Sequence, residues 1–171
     1  MRTPRTNCEI GGGVVRRHNA ARDATSCRAE RQGCEGVRKE VVIPEWQQDG
    51  VDARLDVVFH SGSTRVCADV AIAAANSEDQ ERQSRRARND GAAAAEAEKR
   101  KRIRYPHPDL QPIAVEALCR MGEGAQAFAR KWATKRQDQR PAAITDFYAA
   151  VGATLQRHNA DLILAAYGGT G

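Results

Sequence analysis

The segment RLDVVFHSGSTRVCADVAI, from Arg54 to Ile72, restricts the fold more than any other stretch of the chain. Two runs rich in β-branched residues flank Gly62-Ser63, and glycine at the first central position suits a type II′ hairpin turn. Such a turn fixes the register. Ser61 faces Thr64, His60 faces Arg65, Val58 faces Cys67 and Asp56 faces Asp69. Because side chains alternate across a strand, Leu55, Val57 and Phe59 should share an apolar face with Val66, Ala68 and Val70. The other face carries Arg54, Asp56, Val58 and His60 against Arg65, Cys67, Asp69 and Ala71. Two acids then stand side by side, with Cβ atoms ~5 Å apart.

Opposed like charges destabilise a sheet, so something must offset them. A divalent cation would do so, and an all-oxygen ligand set suits Mg²⁺ or Mn²⁺. Three other readings stand beside it: screening by Arg54 and Arg65, a raised pKa on one acid, or a one-residue slip that separates the pair. A later segment, AEAEKRKRIRY, adds a further element. Glu98, Lys101 and Tyr105 fall on one face of a helix there. A lysine beside two metal-binding carboxylates can position water or stabilise charge on a phosphoryl oxygen. The same lysine could instead form a surface salt bridge to Glu98.

The rest of the chain reads as a mixed α/β domain. A helix is expected from Val14 to Gln32, ended by Gly33 and Gly36. VRKEVVIP (37–44) has strand character and should stop at Pro44, with EWQQDG as a loop. After the hairpin, Asn76-Ser77 with Glu78 and Glu81 suits a helix start. One long helix should run to Arg104, with an interruption risk at Asp90-Gly91. PHPDLQP reads as a loop, IAVEAL (113–118) as a strand, and two helices close the chain. The order α-β-β-β-α-β-α-α describes a small mixed sheet flanked by helices. A flexible segment (1–13), one domain (14–166) and a disordered tail (167–171) are expected. RHNA occurs at 17–20 and 157–160, and without wider similarity this is read as coincidence.

The chain carries 27 Lys and Arg against 22 Asp and Glu, a formal net charge of +5. The excess is mostly arginine, which favours bidentate phosphate contacts. It clusters at Arg82, Arg85, Arg86 and Arg88, and again at Arg100, Arg102 and Arg104 beside Lys99. A polyanion partner fits this pattern, and so does a solvated helix face. No apolar run reaches the ~18 residues of a membrane span, and the N-terminus lacks the apolar stretch of a signal peptide. Cys8, Cys27, Cys34, Cys67 and Cys119 are scattered, which points to reduced thiols in an intracellular protein. His18, His60, His107 and His158 lack zinc spacing with them and read as surface or helix-face residues. Glu116 reads as a strand-edge salt bridge, and Trp46 and Trp132 as packing residues. No P-loop, G-x-S-x-G or G-x-G-x-x-G is present.

The strand with Asp56, the turn, ADVAI with Asp69, the Ala-rich helix ending in KRKRIRY, and PIAVEAL together resemble a known family. It is the restriction-endonuclease-like domain at the C-terminus of some non-LTR retrotransposon polyproteins, within the PD-(D/E)XK nuclease superfamily. GGGVVRRHNAARD and TLQRHNADLI also resemble segments of that domain, so the resemblance spans most of residues 8–166. It implies a DNA endonuclease that cuts or nicks phosphodiester bonds with Mg²⁺ or Mn²⁺. Asp56 matches the first metal-binding acid and Asp69 the second, with the Val70 carbonyl as a further ligand. The superfamily lysine normally follows the second acid by two residues, where this chain has Ala71. In the retroelement branch it moves to the next helix in a K-x-x-x-Y arrangement, matched by Lys101 and Tyr105, with Lys99 in reserve. Glu40 fits an acid often found on the first strand, and Leu55 stands where the motif usually has proline. Cys8 would be the end of a zinc knuckle. The resemblance further implies DNA as partner, with RNA as an alternative, no membrane, an upstream reverse transcriptase region, and a nuclear location in a eukaryote. Two rival readings remain: a decayed nuclease fold that only binds nucleic acid, and a structural α/β domain.

Overall fold

A computed structural model describes residues 13–74, 79–132 and 137–167. Helix α1 (Gly13–Arg31) leads into strands β1 (Glu35–Gln48), β2 (Val51–Ser61) and β3 (Thr64–Ala73). Helices α2 (Gln80–Arg88) and α3 (Ala92–Arg104) precede β4 (Leu110–Glu116), and α4 (Glu123–Lys131) and α5 (Arg140–Tyr167) follow it. The sheet order is β1-β2-β3-β4. The first three strands form an antiparallel meander, and β4 joins β3 in parallel. This is the expected mixed α/β architecture, a small sheet flanked by helices. The segments expected to be flexible or disordered at the two ends, Cys8, and Asn76-Ser77-Glu78 lie wholly or mainly outside the described residues.

The hairpin register is as the turn predicts. Ser61 pairs Thr64, Val58 pairs Cys67 and Val57 pairs Ala68, and Gly62 adopts a φ of 58°. Val57, Phe59, Val66, Ala68 and Val70 pack with Ile113 and Val115 of β4 against α1, α4 and α5. Phe59 meets Phe128 and Trp132 edge-on in that layer. The other face of the sheet is covered too. Ala93, Ala94 and Ala97 of α3 pack on Ala73 and Ala114, and side chains this small let the helix backbone approach the strands closely. Trp46 and Tyr105 close over Val58 and Cys67.

Four expectations need correction. Leu55 does not join the layer of Val57 and Phe59 but packs with Ile43, Ala53 and Val58. Leu55 lies past the end of the β3 pairing at Val57, on a stretch of β2 that is paired with β1 alone. Pro44 does not end β1, and EWQQ continues the strand to a turn at Asp49-Gly50. The strand lies at the sheet edge, where a missing N–H is tolerated. The long helix is two helices, because Gly91 turns left-handed with φ 79° after Asn89 ends the first. Finally, β4 begins inside the proline-rich stretch, at Leu110, with Pro112 again on an edge strand.

Helix α1 buries polar side chains that its composition does not advertise. Arg17, Arg22, Thr25, Ser26 and Arg28 are all buried. Arg17 donates from Nη1 to Asn159 Oδ1 at 2.9 Å, and Asn159 in turn donates to the Ala117 carbonyl. The two RHNA segments therefore meet, the arginine of the first on the asparagine of the second.

Candidate active site

Beyond Val57 and Ala68 the β2–β3 ladder gives way to side-chain contacts. Continued in register, Leu55 would face Val70. Instead the Val70 N–H donates to Asp56 Oδ2 at 2.7 Å. The Val70 carbonyl lies 3.3 Å from His18 Nε2, and the same nitrogen is 3.3 Å from Asp56 Oδ2. Both neighbours of Nε2 are acceptors here, so that nitrogen carries the hydrogen. On the next strand Asp69 is almost fully buried, with 3% of its surface exposed. Its Oδ1 accepts from Lys101 Nζ at 2.7 Å. Its Oδ2 is buried and receives no N–H or ammonium donor.

These contacts follow from the layers. Asp56 and Asp69 lie one position past the last paired residues of the hairpin, Val57 and Ala68, and interact through their side chains. The alanine face of α3 docks on β3 and β4, which brings Lys101 over Asp69. Helix α1 crosses the other side of the sheet and delivers His18 to the gap where β2 and β3 part.

The two carboxyls titrate apart. Burial raises Asp69 to about 6, with Lys101 opposing the rise and Asp56 adding to it. Burial also works to raise Asp56, but hydrogen bonds from His18, from Asp69 and from the Val70 N–H outweigh it and hold this acid below its ordinary value. Asp69 is thus the acid that keeps the proton. The partnership with Asp56 raises His18 against the effect of its burial. The raised pKa weighed from the sequence is what the structure has. Arginine screening is not, because Arg54 pairs with Glu40 and Arg65 with Glu45 and Asp109.

The remaining expected site residues lie elsewhere. Glu40 is held by Arg22 at 2.5 Å and by Arg54 at 3.1 Å, on a backbone with φ 54°. Glu98 is buried, and its Oε1 accepts the Gly124 N–H at 2.9 Å at the start of α4, while Lys101 pairs with Asp69 instead. Its contact with Arg102 is 3.8 Å. Lys99 is exposed. Tyr105 is buried against Trp46, with ring centroids 6.2 Å apart. Glu116 forms no strand-edge salt bridge among the described residues. It accepts the Ala93 and Ala94 N–H groups and so caps α3.

The arginine clusters divide by role. Arg86 donates to Glu96 and to the Ala74 carbonyl, tying α2 to α3, and Arg85 also pairs with Glu96. Arg82 sits 3.9 Å from Asp79, and Arg104 lies over the Tyr105 ring at 5.0 Å. Arg82, Arg85, Arg88, Arg100, Arg102 and Arg104 are exposed.

His18 is the residue that sequence reasoning set aside. Its only sequence signal is a position on α1 three residues before the buried Ala21, and which strand edge that helix crosses is not a local property. Among the described residues no group of three or more His, Cys, Asp or Glu side chains is placed to hold a metal ion. No helix there is long and apolar enough to cross a membrane. No protein-family model matches the chain, and no curated protein matches it significantly.

Proposed function

We propose that this chain is a metal-dependent DNA endonuclease domain of the restriction-endonuclease-like kind found in non-LTR retrotransposon polyproteins. The observation that carries the reading is Asp69, a carboxyl buried to 3% exposure against a second carboxyl, Asp56; the Asp69 Oδ2 receives no N–H or ammonium donor. Burying such an oxygen is costly unless it is paired, and a divalent cation is the partner an all-oxygen set would take. Asp56, Asp69 and the Val70 carbonyl would hold Mg²⁺ or Mn²⁺. A bound ion of this kind supplies an activated water and offsets charge on a phosphate.

The chain's own residues would do the rest. Lys101 holds Asp69 Oδ1 with its ammonium group at 2.7 Å, which would leave Oδ2 free for a cation and a positive charge close to it. Three-quarters of the Lys101 side-chain surface is covered, with 25% exposed, so its charge is screened less than that of a free surface lysine. Asp56 stays ionised because Val70 N–H and His18 both donate to it. Exposed Arg88, Arg100 and Arg102 would contact the DNA backbone and make binding fall with salt.

A second reading, a nucleic-acid-binding domain with a silent site, draws on the two-carboxylate set, which is short of three ligating side chains. One experiment separates the two. Wild type and Asp69→Ala are incubated with supercoiled plasmid in Mg²⁺ and in Mn²⁺, with circular dichroism as the folding control. Nicking by wild type alone supports the endonuclease. DNA binding without cleavage by either protein supports the silent site, and equal cleavage by both would overturn the assignment of Asp69.

A further inference from the structure

The His18 imidazole contacts both oxygen-bearing groups that flank the gap between β2 and β3, and it does so with one nitrogen. Nε2 is 3.3 Å from Asp56 Oδ2 and 3.3 Å from the Val70 carbonyl. It comes from the opposite layer to Lys101, so the gap is held from one side by α1 and from the other by α3. The strands do not hold these oxygens themselves. The ladder stops at Val57 and Ala68, and the Val70 N–H is already committed to Asp56. Without His18, the Val70 carbonyl would lose its side-chain donor, and Asp56 Oδ2 would keep the Val70 N–H.

We infer that His18 is a positioning residue. Its Nε2–H, shared between Asp56 Oδ2 and the Val70 carbonyl, fixes both oxygens at the separation needed to take a divalent cation jointly. This rests on the reading of Asp56, Asp69 and Val70 as a cation site. Side chains that orient ligands in this way set affinity without touching the ion, and removing one typically costs 10–100-fold in metal binding. A purely structural His18 would instead tie α1 to the sheet and leave cation affinity alone once the protein is folded.

The test is calorimetric titration of the full chain with Mn²⁺, in wild type, His18→Leu and His18→Gln. Leucine keeps volume and removes the donor. Glutamine restores an N–H of similar reach. The expected result is Mn²⁺ binding at least tenfold weaker in His18→Leu and within about threefold of wild type in His18→Gln, with thermal melts showing both variants folded. Equal affinity in wild type and His18→Leu would overturn the positioning role while leaving the cation site standing. No Mn²⁺ binding by wild type would overturn the site itself, and the inference with it. Should His18→Leu fail to fold, the imidazole ¹⁵N spectrum of wild type decides. A hydrogen on Nε2 supports the shared donor, and an unprotonated Nε2 overturns it.

Discussion

Asp69→Asn should change how stability depends on pH, and the structure gives both sign and size. Burial holds the Asp69 carboxyl at about 6 against an ordinary value of 3.8. The folded chain therefore binds this proton more tightly than the unfolded chain. By linkage, the stabilisation is complete below the ordinary value and disappears as pH rises through the folded one. At ~1.4 kcal/mol per pH unit, the full span is about 3 kcal/mol. Asp56 has the opposite sign, because its carboxyl is held low and stabilises above the ordinary range. The wild-type curve alone would mix the two. The difference between wild type and Asp69→Asn reports chiefly the first, since asparagine keeps the volume and never ionises, with a smaller part from the hydrogen bond by which Asp69 helps hold Asp56 low. Urea unfolding in EDTA at pH 4 and pH 7 measures it. Wild type should lose about 2–3 kcal/mol relative to the variant across that interval. A difference that stays flat, or that grows in favour of wild type, would refute the claim that Asp69 is the buried, proton-retaining member of the pair.

Other consequences are independent of the cation. Gly124→Ala would set a Cβ against the Pro112 carbonyl oxygen, well inside contact distance, and 2.9 Å from Glu98 Oε1. The usual helix gain of alanine is then outweighed, and thermal melts should show a net loss of about 1–3 kcal/mol. Glu98→Ala leaves the buried Gly124 N–H without its acceptor and should cost about 1–3 kcal/mol in urea unfolding, with DNA binding intact. Arg88→Ala with Arg100→Ala should flatten the salt dependence of DNA binding by roughly one to two in log–log slope, read by fluorescence anisotropy. Arg86→Ala should instead lower the melting temperature, since this arginine joins α2 to α3.

The hairpin was legible because its register is a local property. A glycine at Gly62 sets the turn, and the apolar alternation on both arms leaves one pairing that buries it. The adjacency of Asp56 and Asp69 follows from the same arithmetic, whereas Lys101 is singled out by its place on the later helix and by the family resemblance, and its contact with Asp69 depends on how that helix docks. What was not legible depends on edges and docking. Proline usually ends a strand, but β1 and β4 are edge strands and carry Pro44 and Pro112 within them. Glu98 and Glu116 look like site or surface acids in one dimension. In three they accept the first N–H groups of α4 and α3. His18 was hidden because α1 buries arginines, a threonine and a serine, so no hydrophobic stripe marks the face that meets the sheet.

The central claim is that Asp56 and Asp69 jointly take a divalent cation. Soaking crystals of the wild-type protein in Mn²⁺ and recording anomalous scattering tests it directly. The expected result is a peak in contact with both carboxylates and the Val70 carbonyl, lost in Asp69→Asn. A Mn²⁺ peak elsewhere, with no density between the two aspartates, would contradict it.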